Sequence, residues 1–322
     1  MIAHGGLNHE DFKIHNVPVD SQGNYVRTYE IGEGPVLVLI HGYGAASLTF
    51  WKIMKPLSQK YRLIMVDQLG MGASSRPDFE EQDPAKAVDF LVNWVEEWRK
   101  AMDLTGFVLA GHSFGGFIAG HYACKHPQHI RKLLMLSPFG VPKRHFTDEE
   151  FAEEYKKIEP LRPTDKKPPK FAFTFIFKKV WKNQWSPFGF LRKTPDFVTT
   201  LFLNKWAKKR IVGDVPKEEL DDFKQYMRDV LLRKGSVEYA LFVIFDHYCF
   251  AKLPLDVPER LSGLDMPISF IYGDRDWMKL VGSHTVLENN PYKDKFSHMH
   301  TVENSDHHLY LDNPEQFAQT IL

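Results

Sequence analysis

The chain has 322 residues, 43% hydrophobic and 14% aromatic, enough apolar side chains for one large core with an inserted subdomain and too many for a disordered or fibrous protein. Lys plus Arg equals Asp plus Glu at 41 each, so bulk charge gives no argument for nucleic acid, and an electrostatic partner has to be read from local clusters. The two cysteines, Cys124 and Cys249, have neither C-x-x-C nor metal-ligand spacing and read as plain buried thiols in a reducing compartment.

Residues 1–12 hold no apolar stretch of signal-peptide length, Ile2 excludes N-myristoylation, and no run reaches the ~18 apolar residues of a spanning helix. The expectation is a cytoplasmic protein, soluble or peripherally bound to membranes or lipid droplets. Residues 11–18 and 24–31 alternate polar and apolar around Ser21-Gln22-Gly23-Asn24, which predicts an antiparallel hairpin. Apolar strand-like runs follow at 36–40, 62–66, 106–110, 132–136, 267–272 and 297–302, with helical patterns near 49–58, 84–103 and 114–126 between the earlier ones. Strand alternating with helix predicts an α/β fold: a mostly parallel central sheet flanked by helices, with ligands bound at the carboxyl ends of the strands.

The alternation stops after Leu136-Ser137-Pro138 and resumes near Pro267. The stretch between is expected as a helical cap, residues 141–264, inserted into a core made of residues 1–140 and 265–322. Within it, residues 161–210 carry 13 Lys or Arg against 2 Asp, interleaved with Phe171, Phe173, Phe175, Phe177, Trp181, Trp185, Phe188 and Phe190. Basic and aromatic residues together suit an anionic, apolar partner such as a membrane or lipid-droplet surface. The competing reading makes Phe173, Phe177, Trp181 and Trp185, four apart, a buried helix stripe with the lysines on its solvated face. The cluster matches no nucleic-acid-binding motif.

The residues with chemical capacity stand at the ends of the strand-like runs. Val36–Ile40 leads into His41-Gly42-Tyr43-Gly44, a loop able to aim backbone N–H groups at an oxyanion. Phe107–Ala110 leads into Gly111-His112-Ser113-Phe114-Gly115, where a strand breaks sharply into a helix with a serine at the break and a side chain on either outer glycine would clash. Ile268–Tyr272 leads into Gly273-Asp274-Arg275-Asp276, and Asp306-His307-His308 precedes the last helix. The order Ser, Asp, His, each at a strand's end, is that of an α/β-hydrolase and not of chymotrypsin or subtilisin.

Ser113 is the expected nucleophile and His307 its base, with His308 as rival. Asp276 is expected to orient the imidazole, with Asp274 as rival. The N–H groups of Tyr43 and Phe114 are the expected oxyanion hole. His41 and His112 read as structural, and Asp67, in Val66-Asp67-Gln68-Leu69-Gly70-Met71-Gly72, as a loop anchor. No cofactor is expected, and since His298 and His300 lack a third ligand, no metal. Epoxide hydrolases and haloalkane dehalogenases need Asp where this chain has Ser113.

The runs Gly111-His112-Ser113-Phe114-Gly115-Gly116, Val66 to Pro77 and Tyr272-Gly273-Asp274-Arg275-Asp276-Trp277-Met278 resemble the α/β-hydrolase-domain lipid enzymes. Leu136-Ser137-Pro138-Phe139-Gly140, Ser186-Pro187-Phe188-Gly189 and Ser236-Val237-Glu238-Tyr239-Ala240 are similar to the branch with the lipid-droplet co-activator of adipose triglyceride lipase and the N-acyl phosphatidylethanolamine hydrolase. The resemblance spans about residues 24–322 and implies a serine hydrolase cleaving acyl esters of glycerophospholipids or related lipids through an acyl-enzyme. It keeps two alternatives: a lysophosphatidic acid acyltransferase, and a non-catalytic lipid-binding regulator of a lipase. The branch's H-x4-D pattern, here His307 to Asp312, has been linked to acyl transfer. Asp312 reads instead as the cap of the helix opening near Pro314. The co-activator replaces the nucleophile with asparagine, whereas Ser113 resembles the hydrolytically competent kind, and the co-activator's Trp-rich N-terminal anchor has no counterpart here.

Overall fold

The computed structural model describes residues 1–145, 147, 150, 178–211, 215–278, 282–293 and 295–322; the expected aromatics Phe171, Phe173, Phe175 and Phe177 lie outside them. One sheet holds β1 (Lys13–Pro18), β2 (Tyr25–Ile31), β3 (Val36–Ile40), β4 (Arg62–Val66), β5 (Phe107–His112), β6 (Ile130–Leu136), β7 (Ile268–Gly273) and β8 (Met299–Val302), in the spatial order β1-β2-β4-β3-β5-β6-β7-β8. β1 and β2 form the predicted hairpin, β2 runs antiparallel to β4, and the pairs from β4 across to β8 are parallel. The connections change direction between β3 and β5, the crevice where open α/β sheets bind ligands.

Among the described residues the helices include α1 (Trp51–Ser58), α2 (Pro84–Ala101), α3 (Phe114–Lys125), α4 (Pro187–Leu191), α5 (Asp196–Arg210), α6 (Lys217–Leu231), α7 (Ala240–Ile244), α8 (Gly282–Asn289), α9 (Leu309–Asp312) and α10 (Pro314–Ile321). β3 shows why parallel strands read as unbroken apolar runs: Leu37 and Leu39 pack with α1 and α10, while Val38 and Ile40 face the cluster built with α2 and α3. α2 begins where the Asp83 carboxylate accepts the N–H groups of Ala85 and Lys86, each at 2.9 Å, with Pro84 in the first helical position. α3 is buried on every side from Phe114 through Ala123, nearly all of it apolar or glycine.

Between β6 and β7 the described residues add helices α4–α7 and no strand of the sheet. Side chains tie this segment to the core: Trp51 Nε1 donates to Glu219 at 2.8 Å and its ring lies 5.2 Å from Phe223. Arg76 donates to the carbonyls of Gly72 and Val230, both at 3.0 Å, and Arg233 donates to Gly72 at 3.0 Å, which fastens α6 to the loop after β4. No helix among the described residues is long and apolar enough to cross a membrane. Cys124 and Cys249 are half-buried, and burial pushes both thiols up to about 12, so they remain protonated and unreactive.

Candidate active site

Ser113 joins β5 to α3 with φ 54° and ψ −117°. Such a conformation costs a non-glycine residue about 1–3 kcal/mol and persists only where the surroundings over-determine it. Here they do. A Cβ on Gly111 would stand 2.3 Å from the Gly115 carbonyl oxygen, and one on Gly115 would stand 2.4 Å from the carbonyl oxygens of both Ile40 and His41. The Ser113 N–H donates to Leu136 and its carbonyl accepts from Phe139, both at 3.0 Å, locking the turn to the end of β6.

His307 arrives on the turn after β8. Its Nε2 lies 3.0 Å from Ser113 Oγ and its Nδ1 lies 3.3 Å from Asp276 Oδ1. An imidazole donating Nδ1–H to a carboxylate offers Nε2 as the acceptor for a hydroxyl. Ser113, His307 and Asp276 are 8%, 9% and 2% exposed, so this chain of hydrogen bonds runs through a region of low dielectric. Asp276 is held by the Met278 N–H at 2.9 Å and by the Ser137 hydroxyl on its second oxygen.

Both rivals sit elsewhere. Asp274 accepts the Ser305 N–H at 2.8 Å, which ties the β7 loop to the turn carrying His307. The His308 ring packs beside that turn, 5.2 Å from His307 and 5.3 Å from His112. Asp312 requires a correction. It does not cap the last helix: Asn313 does, accepting the Gln316 N–H at 3.3 Å, while Asp312 closes α9 and accepts the Asp306 N–H at 2.9 Å. Because α9 ends before Pro314, the capping position falls one residue later than the sequence pattern placed it.

Gly42 lets the loop after β3 approach the nucleophile: a Cβ there would lie 2.9 Å from His112 Nδ1 and 3.1 Å from Ser113 Cβ. The N–H groups of Tyr43 and Phe114 donate to no protein acceptor among the described residues. Phe114 opens α3, so its N–H lies at the positive end of the helix dipole. The Tyr43 ring meets Phe114 edge-on at 6.2 Å and Phe188 at 5.3 Å. It also forms one wall of an apolar groove of about 900 Å³ whose other walls include Trp181, Trp185, Phe190, Phe202 and Phe242.

The residues read as structural are tied into loops. His41 Nδ1 donates to the Gly42 carbonyl at 2.8 Å and Nε2 accepts the Gln68 N–H at 3.1 Å; burial lowers its pKa, keeping it neutral. Asp67 accepts the N–H groups of Ser47 at 2.6 Å and Ala73 at 2.8 Å. His112 does more than hold its own loop, since its Nε2 donates to the His307 carbonyl at 2.8 Å and its ring lies 4.8 Å from the imidazole. Sequence reasoning missed Ser137 and Trp277, whose ring lies 5.6 Å from His307 at the protein's surface. The signal for Ser137 was its place directly after the buried run of β6, at the same edge of the sheet as the other site residues. Among the described residues Glu96, His126 and His129 bring potential metal-ligand atoms together. The Glu96 carboxylate, however, already accepts Arg99 at 2.9 Å on each oxygen and the Tyr122 hydroxyl at 2.8 Å, a donor set that suits an ion pair and not a metal.

Residues 35–314 match the family described as alpha/beta hydrolase fold. The chain is similar to a 1-acylglycerol-3-phosphate O-acyltransferase of Arabidopsis thaliana, 31% identical over 94% of this chain and 70% of that one. It is similar as well to a (lyso)-N-acylphosphatidylethanolamine lipase of Mus musculus, 28% identical over 88% and 77%. Among solved structures, epoxide hydrolase VrEH1 of Vigna radiata superposes with a TM-score of 0.66 over 98% of this chain and 97% of its own; at 16% identity that likeness concerns the fold alone. With the family matched from β3 to the start of α10, this chain belongs to the α/β-hydrolase fold family, in the branch of lipid enzymes that includes acyltransferases and lipases.

Proposed function

We propose that the protein is a serine hydrolase that cleaves acyl esters of glycerophospholipids or related lipids. One observation carries this reading: the hydrogen-bonded run from Ser113 Oγ through both nitrogens of His307 to Asp276. Ser113 attacks the acyl carbonyl while its proton passes to His307 Nε2, and Asp276 stabilises the resulting imidazolium. The oxyanion is held by the N–H groups of Tyr43 and Phe114, each such donor being worth ~10²–10³ in rate. The intermediate collapses as His307 returns the proton to the departing alcohol, and water, activated by the same imidazole, releases the fatty acid.

Residues 1–140 and 265–322 form the catalytic core in this reading and residues 141–264 the cap, whose apolar groove takes the acyl chain. The protein works in the cytoplasm, peripheral to a lipid surface, and needs no cofactor. Phosphonate labelling tests the nucleophile: wild type is labelled and Ser113→Ala is not, and equal labelling of both overturns the proposal. The similarity to a named acyltransferase favours a second reading, in which lysophosphatidic acid intercepts the acyl-enzyme in place of water. Labelled acyl-CoA offered with lysophosphatidic acid decides between them, because a hydrolase releases free fatty acid and a transferase forms phosphatidic acid.

A further inference from the structure

One surface between β6 and β7 carries large apolar side chains where a soluble protein ordinarily keeps polar ones. Phe197 and Leu201 lie four apart on α5 and share a face, 67% and 64% exposed, with exposed Lys205 continuing the stripe. Trp185 and Phe190 are 56% and 66% exposed, and both stand with Val198 and Phe202 at the groove that reaches Tyr43. Lys179, Lys182 and Lys193 are exposed in the same segment, whose one acid among residues 178–207, Asp196, is paired with Arg228.

We infer that this face docks on an anionic phospholipid surface, its aromatic and leucine side chains entering the headgroup boundary and its lysines lying over the headgroups. The inference rests on the hydrolase reading for its purpose: the groove then opens into the lipid layer and conducts an acyl chain to the N–H groups beside Ser113. The composition of the face selects lipid over protein. Contiguous exposed apolar residues mark a contact surface of some kind. Lysine is depleted from protein–protein interfaces, whereas lysines bordering inserted aromatics gain from a negative leaflet. The groove's volume of about 900 Å³ lies at the upper end of ligand sites, roughly 300–1,000 Å³, as a long acyl chain requires.

Cosedimentation of the full chain with phosphatidylcholine vesicles, with and without phosphatidylserine, tests the surface. Wild type binds the anionic vesicles at least about tenfold more tightly than the neutral ones. The Phe197→Ser/Leu201→Ser variant loses at least about tenfold in vesicle affinity, and Lys182→Glu/Lys205→Glu loses more than tenfold on anionic vesicles alone. All four positions lie outside the groove lining, so turnover of a soluble short-chain ester stays at the wild-type level and certifies the fold. Equal sedimentation of wild type and variants overturns the inference. So does a wild-type dimer in light scattering that the apolar pair of substitutions disperses without any vesicle binding, since the occupant is then a second copy. Ser113→Ala binds vesicles like wild type. If wild type hydrolyses no ester yet shows this binding profile, the hydrolase reading fails and the docking surface stands.

Discussion

Ser113, His307 and Asp276 are each 9% exposed or less, whereas Trp185, Phe190, Phe197 and Leu201 are all more than half exposed. Each group inverts the usual rule that polar side chains face water and large apolar ones do not. At the strand ends the inversion is stabilised from within: every buried polar atom of Asp276 and His307 has a partner, and the turn at Ser113 is wedged between neighbouring backbones. Over α4 and α5 no such compensation exists among the described residues. The site proposed to hold reacting atoms within fractions of an ångström is thus built on a crowded sheet edge, while the surface proposed to meet a fluid partner is built on the helices α4 and α5.

Removing the proposed base separates the two regions most strongly. His307→Ala is expected to lower ester turnover by ~10⁴–10⁶ with vesicle binding untouched, measured as kcat on a soluble ester. A fall of less than tenfold would show that the imidazole is not the base. Gly115→Ala asks how far the precision of the sheet edge depends on backbone contact. Its Cβ would stand 2.4 Å from two carbonyl oxygens, so the loss is about 3 kcal/mol or more, read by chemical denaturation. Serine 137 supplies a finer cut. Ser137→Ala removes a hydrogen bond to the buried Asp276 carboxylate, and kcat falls roughly tenfold with KM little changed, because the effect passes through the orientation of His307. A change in KM alone would place Ser137 in substrate binding.

The same contrast explains what could be read from the chain alone. β3, β5 and β7 are covered on both faces, so they appear as continuous apolar runs, and the residues following them fall at one edge of the sheet by topology. That made Ser113, Asp276, Tyr43 and Phe114 legible as positions from the chain alone, whereas His307 was legible from its place before the last helix. What escaped depends on contacts remote in sequence: His112 supporting the His307 carbonyl follows from packing and leaves no local pattern, and the place of Ser137 after β6 marks its position without marking Asp276 as its partner. The proposed stripe through Trp181 and Trp185 is divided in the fold, since the Trp181 indole donates to the Phe245 carbonyl at 2.7 Å while Trp185 is exposed. Period-four spacing marks a shared helix face, and the neighbours of that face decide whether it is buried.

Asp312 gives the smallest effect and the one with a pH signature. Burial raises its carboxyl from 3.8 to about 6, with the Asp306 N–H and Lys52 opposing and the Asp306 charge assisting. The native state therefore holds this proton more tightly than the unfolded chain does. The stabilisation from protonation is complete below about pH 4 and is lost as pH rises through about 6, leaving a half-buried carboxylate on the turn that presents His307. Asp312→Asn keeps an acceptor for the Asp306 N–H and removes the charge. The variant is expected to be more stable than wild type by about 1 kcal/mol near neutral pH, after discounting for solvent screening, and the gain should shrink to nothing toward about pH 4 in thermal unfolding. A variant less stable than wild type near neutrality would mean that the turn needs the negative charge itself, and that the crowded edge of the sheet tolerates more electrostatic strain than its hydrogen bonds imply.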